Sequence, residues 1–146
     1  MHEGTSDVEE TVRQAQTLSD IGRQKAATEL LERALMAAPD DPRVVVALAV
    51  ARLRAGQAKP ALELGRRALA VSPAHQVAHR IVVTALLELR HADEAVASAR
   101  TAVGVAPSPD AQCDLALAEV AAGDPGAARA SAEAAAARVT VARPSS

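Results

Sequence analysis

Residues 41–73 read DPRVVVALAVARLRAGQAKPALELGRRALAVSP, and the fold is decided in this stretch. Asp41 followed by Pro42 is a helix start: a carboxylate accepts first-turn amides, and proline fits the first helical position, where its missing N–H is not needed. The run from Val44 to Ala51 is wholly apolar and bounded by Arg43 and Arg52, so the helix it forms, to about Arg54, is buried nearly all round. Ala55-Gly56-Gln57 interrupts it. A second helix is expected from about Ala58 to Val71, ending at Ser72-Pro73, with Pro60 confined to its first turn. The stretch is therefore one helical hairpin.

The same punctuation returns every 34 residues on both sides of it. Pro39, Pro73 and Pro107 keep that step, as do Ala27, Ala61 and Ala95, then Ala34, Ala68 and Ala102, then Leu35, Leu69 and Val103. Gly22 and Gly56 form a further column, in which the third unit has Arg90. The third unit's helices are expected at about Gln76 to Leu89 and Ala92 to Val105, around His91. In the first unit Ser6 and Glu9 are spaced as a capping box, which starts its first helix near Asp7 and its second near Arg23. Ser108-Pro109 and Asp124-Pro125 start the two helices of a fourth unit, expected to be one residue shorter at its turn. Ala27, Ala61, Ala95 and Ala128 let paired helices approach closely. A lone hairpin cannot bury its apolar face, so the units must stack. The expected organisation is a flexible segment 1–7, one domain 8–139 with repeats of about 8–41, 42–75, 76–109 and 110–139, and a tail 140–146.

These columns resemble the tetratricopeptide repeat, whose pattern is Trp-x2-Leu-Gly-x2-Tyr, then Ala-x3-Phe, then Ala and Pro. The second unit presents Val45, Leu48, Ala49, Arg52, Ala61, Gly65, Ala68 and Pro73. The third presents His79, Val82, Val83, Leu86, Ala95, Ala99, Ala102 and Pro107. The first keeps Ala15, Leu18, Ala27, Leu31, Ala34 and Pro39, and the fourth Cys113, Ala116, Leu117, Val120, Ala128, Ala132 and Ala135. Every aromatic column is aliphatic, small or polar. The resemblance spans about Val8 to Val139 and implies an all-α fold, a right-handed α-solenoid of about four tetratricopeptide-like helical hairpins.

Composition narrows the function. The 146 residues carry a net charge of −2, with 49% hydrophobic and 23% charged residues, the balance of a folded soluble domain. With no Phe, Tyr or Trp, bases cannot be stacked on aromatic platforms nor a quaternary ammonium caged. Without a basic block, neither nucleic acid nor an anionic membrane surface is an expected partner. An RNA-reading helical repeat would need the neighbouring 35-residue period and a basic face. The acidic, polar start lacks the basic and apolar regions of a secretory signal, and the run Val44 to Ala51 is far short of the roughly 20 residues that cross a bilayer. A cytoplasmic protein is expected.

No catalytic constellation stands out, and no cofactor or metal is expected. His75 and His79 are four apart, the spacing of a two-histidine half-site, but no third ligand completes it, so a solvated first helical turn is the expectation. His91 falls in a turn and His2 near the start, each without an adjacent nucleophile. Cys113, the sole cysteine, forms no intrachain disulfide and occupies an apolar repeat position as a small core residue. Gly123-Asp124-Pro125-Gly126 lacks the strand and Lys of a phosphate loop and is a turn.

What remains is a surface. In tetratricopeptide-like stacks the first helices line a concave groove that takes a peptide. The corresponding positions are Val12 and Gln16, then Arg43, Val46, Val50, Leu53 and Arg54, then Val77, Arg80, Thr84 and Leu87. An apolar middle flanked by Arg43, Arg54 and Arg80 suits an apolar segment carrying a carboxylate. Val46 and Val50 also fit plain packing between neighbouring helices. The Lys, Asn and Arg clamp for C-terminal carboxylates known in some family members is replaced by Val12, Gln16, Ala47, Val77 and Ile81. At the other end, Ala127 to Ala137 is alanine-rich and no polar helix follows to cap the stack. The expected function is a non-catalytic scaffold or adaptor for a protein or peptide, with a structural homo-oligomerisation module or a regulatory N-terminal part of a larger protein as the alternative.

Overall fold

The computed structural model describes residues 3–142, and the side chains of 7–124, 126 and 129–137. Among these residues there are eight α-helices and no strand: α1 (Glu3–Asp20), α2 (Gln24–Ala37), α3 (Pro42–Arg54), α4 (Ala58–Val71), α5 (Gln76–Glu88), α6 (Ala92–Val105), α7 (Pro109–Ala121) and α8 (Pro125–Ala142). They form two compact units, Met1–Pro73 and Ala74–Ser146, divided at a repeat boundary and each holding two hairpins.

Side chains fix where the first helices start. The Asp41 carboxylate accepts the Arg43 backbone amide at 3.0 Å, His75 Nδ1 accepts that of Ala78 at 3.3 Å, and Ser108 Oγ accepts that of Ala111 at 3.0 Å. Pro42 and Pro109 take the first helical position behind their caps. The exception is α1, which runs past Ser6 to begin at Glu3, so the expected capping box lies inside a helix. Residues 1–2 of the expected N-terminal segment and 143–146 of the expected tail lie outside the described residues.

Each hairpin turns in the same way. The backbone amides of Arg23, Gln57, His91 and Asp124 reach back to the carbonyls of Leu18, Arg52, Leu86 and Glu119 at 2.8–2.9 Å. The residue just before each takes positive φ: Gly22 (86°), Gly56 (77°), Arg90 (66°) and Gly123 (82°). This left-handed closure satisfies the last carbonyls of the first helix and suits glycine. Arg90 adopts it at a cost that its three counterparts avoid.

Alanine then lets the paired helices close. Ala61 and Ala95 are fully buried and Ala27 nearly so, while Val44, Val45 and Leu86 are the largest fully buried side chains. Burying each of these three contributes on the order of 1.5–3 kcal/mol. The side chain of Ala128, the expected fourth member of the alanine column, lies outside the described residues. In α8 Ala135 is buried but Ala132 is exposed, since among the described residues no helix follows to cover it.

The fourth unit departs from expectation. The spacing from cap to left-handed residue is 15 in each of the hairpins that begin at Asp41, His75 and Ser108, so no residue is missing from the last turn. The residue is missing ahead of α7, where Pro107 is followed directly by the cap, whereas one residue separates Pro39 from Asp41 and Pro73 from His75. One residue rotates a helix by about 100°. Cys113, Leu117 and Val120 are therefore exposed, the last two by 61% and 62%, and not core. Ala111, Gln112, Leu115, Ala118 and Glu119 are buried in their place.

Two outcomes follow for stability. Arg90→Gly is expected to stabilise the chain by about 0.5–1 kcal/mol in urea denaturation, since relief of the left-handed strain exceeds the entropy glycine adds to the unfolded state; a loss of stability would contradict this turn geometry. Asp41→Ala is expected to cost about 1 kcal/mol at pH 7. The Asp41 carboxyl is held below its ordinary 3.8, chiefly by the Arg43 guanidinium, against the opposing effect of burial. A depressed carboxyl stabilises the fold above its unfolded value and ceases to do so as pH falls through its folded value. The gap between parent and variant must then narrow as pH drops below 3.8, and a gap independent of pH would contradict it.

Candidate partner-binding recesses

The first helices place their outer faces by register from the left-handed turn residue. Counted back from it, Val46, Val50 and Leu53 of α3 correspond to Val12, Gln16 and Ser19 of α1, to Arg80, Thr84 and Leu87 of α5, and to Cys113, Leu117 and Val120 of α7.

In the first unit a recess of about 330 Å³ opens between α1 and α3. Ala27 and Leu31 of α2, both buried, lie at its base, and Val12, Val46, Ala47 and Val50 supply its apolar walls. Arg43, Val46, Val50 and Arg54 line it together, along with Gln16 and Ser19. Leu53, half-buried, does not line it. Val46 is only 9% exposed, so it packs between helices and still contributes to the wall.

The arginines at this recess differ. Arg43 pairs with Asp41 at 2.7 Å and with Glu9 at 3.3 Å, one repeat earlier on α1. Arg54, at the other end of α3, donates to the neutral Ser19 Oγ at 2.8 Å. Arg52 lies on another side of α3 and bridges Glu32 of α2 and Gln57.

In the second unit the recess is smaller, about 80 Å³, between the N-terminal halves of α5 and α7. Val77 and Arg80 line it; Thr84, exposed, and Leu87, half-buried, lie further along α5 and do not. Arg80 donates to Asp114 Oδ2 at 3.2 Å. Burial pushes the Asp114 carboxyl up, Arg80 draws it back down through charge and hydrogen bond, and Asp110 adds a smaller upward push. The charge of Arg80 is thus committed within the fold.

The histidine pair does not form a shared exposed face. His75 precedes α5 as its cap, and His79 is buried at 7% exposure, not solvated. The reason is register: His79 holds the position of the buried Val45. Among the described residues no three His, Cys, Asp or Glu side chains are grouped to hold a metal.

Cys113, Leu117 and Val120 are the surface residues that the 34-residue count assigned to the core. The signal that finds them is Ser108-Pro109 itself, because a register counted from the cap places them level with Val46, Val50 and Leu53.

No family model matches the sequence, and no curated protein is similar to it. Solved structures are. The chain superposes on MamA, a tetratricopeptide-like protein, with a TM-score of 0.81 at 19% identity, covering 91% of this chain and 78% of that one. A second MamA structure, MamA MSR-1, gives 0.78 at 23% identity over 93% and 79% of the two chains. MamA residues 41 to the end from Desulfovibrio magneticus RS-1 gives 0.76 at 19% identity over 88% and 73%. At these identities the likeness shows the fold: an all-α repeat of helical hairpins.

Proposed function

We propose that the protein is a non-catalytic scaffold or adaptor, acting in the cytoplasm, that binds a protein or peptide through the outer faces of the first helices of its hairpins, α1 and α3 in the first unit and α5 and α7 in the second. One observation carries this reading: the outer faces of α3 and α7 keep apolar side chains at the surface, where a surface helix would ordinarily be polar. Val12, Val50 and Leu53 are half-buried in the first unit, and Leu117 and Val120 are more than half-exposed in the second. Among the described residues no helix is long and apolar enough to cross a membrane. The fold shared with MamA is compatible with a binding role but does not assign one.

A second reading is favoured by one specific stripe. Cys113, Leu117 and Val120 lie one turn apart on α7, and a second copy of this chain would cover such a face. Sedimentation velocity over a concentration series separates the two readings.

Affinity capture from the native lysate with the paired variants Val50→Glu, Leu53→Glu and Leu117→Glu, Val120→Glu tests the proposal. A specific partner held by the parent is expected to be lost from at least one pair at unchanged helicity. Capture unchanged in both would contradict the proposal, and recovery of the chain alone would favour self-association. The α7 pair is exposed enough to keep the fold even if Val50 and Leu53 prove structural.

A further inference from the structure

We propose that the recess between α1 and α3 is a subsite for an extended peptide bearing an aliphatic side chain and, two residues along, a carboxylate, seated on Val12, Val46 and Val50 and on Arg54. This rests on the groove-binding reading above and specifies the chemistry that the first unit selects.

Charge complementarity points to the carboxylate. Among the described residues the charged side chains lining the recess are Arg43 and Arg54, and no carboxylate lines it. Arg43 is already matched by Asp41 and Glu9. Arg54 has no carboxylate partner among the described residues; its hydrogen bond goes to Ser19, while the next residue, Asp20, accepts from Gln16 Nε2 at 2.8 Å. Such an arginine exchanges a neutral hydroxyl acceptor for a charged one, forming an ion pair, when an anionic group arrives. The second unit offers the contrast, since Asp110 and Asp114 line its recess and Arg80 is paired with Asp114.

Spacing points to the extended form. Val50 and Arg54 lie one turn apart on α3, a rise of about 6 Å. In an extended chain, residues i and i+2 project from one face about 6.6 Å apart. A recess of about 330 Å³ admits a side chain, whereas a docked helix with its side chains is about 10–12 Å across. The family's terminal-carboxylate clamp is not involved, because its positions hold Val12, Gln16 and Ala47.

The test is a ¹H–¹⁵N NMR titration of the intact chain with the blocked peptide Gly-Ser-Leu-Ser-Glu-Ser-Gly and two counterparts, Gln replacing Glu and Ser replacing Leu. The parent is expected to show amide shifts at Val12, Val50 and Arg54. It is expected to bind the Glu peptide roughly three- to five-fold more tightly than the Gln peptide and not to bind the Ser counterpart. R54Q, at an exposed position, should stay folded and erase the Glu preference. Equal affinity for the Glu and Gln peptides, or a preference that survives in R54Q, would overturn the carboxylate subsite and leave the groove reading standing. No shifts with any of the three peptides would overturn the subsite altogether, the groove reading then resting on capture alone.

Discussion

The distance from helix cap to hairpin turn is the constraint on which the rest of this structure depends. Gly56, Arg90 and Gly123, each left-handed, lie 15 positions after the side-chain caps Asp41, His75 and Ser108. The cap fixes where the first helix starts and hence its rotational phase; the turn fixes where it ends and aims the second helix back along it. Beyond the turn, on the second helices, alanine at 61 and 95 removes the bulk that would hold the paired helices apart. Burial and exposure along each hairpin then follow from the phase. A residue lost between hairpins leaves each hairpin intact and rotates the whole sequence pattern of the next helix against the expected column.

Most of the fold was legible because its signals are local. Asp41-Pro42, Ala55-Gly56-Gln57 and Ser72-Pro73 mark the ends of α3 and α4 to the residue, since caps, prolines and left-handed turns act within a few residues of themselves. The 34-residue columns carried the other hairpins as well. What failed was phase in the fourth unit. The 34-residue step was carried past Pro107, where the linker is shorter, and Cys113, Leu117 and Val120 were assigned inward. The start of α1 was misplaced because Ser6 has the chemistry of a cap, but nothing just before it, such as a proline, keeps the chain out of the helix. At His79 and Glu119 a polar residue occupies a buried position, which hydropathy alone assigns to the surface.

The candidate site was legible in part. Arg43, Val46, Val50 and Arg54 come together at one recess because they recur at three- and four-residue intervals along α3. Their charges were not equivalent in the way the sequence suggested. Whether an arginine is available depends on the partner it meets a full repeat away: a carboxylate in Glu9 for Arg43 and Asp114 for Arg80, a neutral hydroxyl in Ser19 for Arg54. Val46 shows that groove and core are not exclusive alternatives: one side chain packs between helices and presents its edge to the recess.

The most direct measurement of this account is the reactivity of the Cys113 thiol, the sole cysteine of the chain. If the cap at Ser108 sets the phase of α7, the thiol faces water, and it will react with a disulfide reagent in the native protein at about the rate seen after unfolding in urea. If the 34-residue step continues unbroken, the thiol sits in the core and reacts only as the protein unfolds. Protection of that kind would contradict the register of α7 and the assignment of Leu117 and Val120 to the binding face.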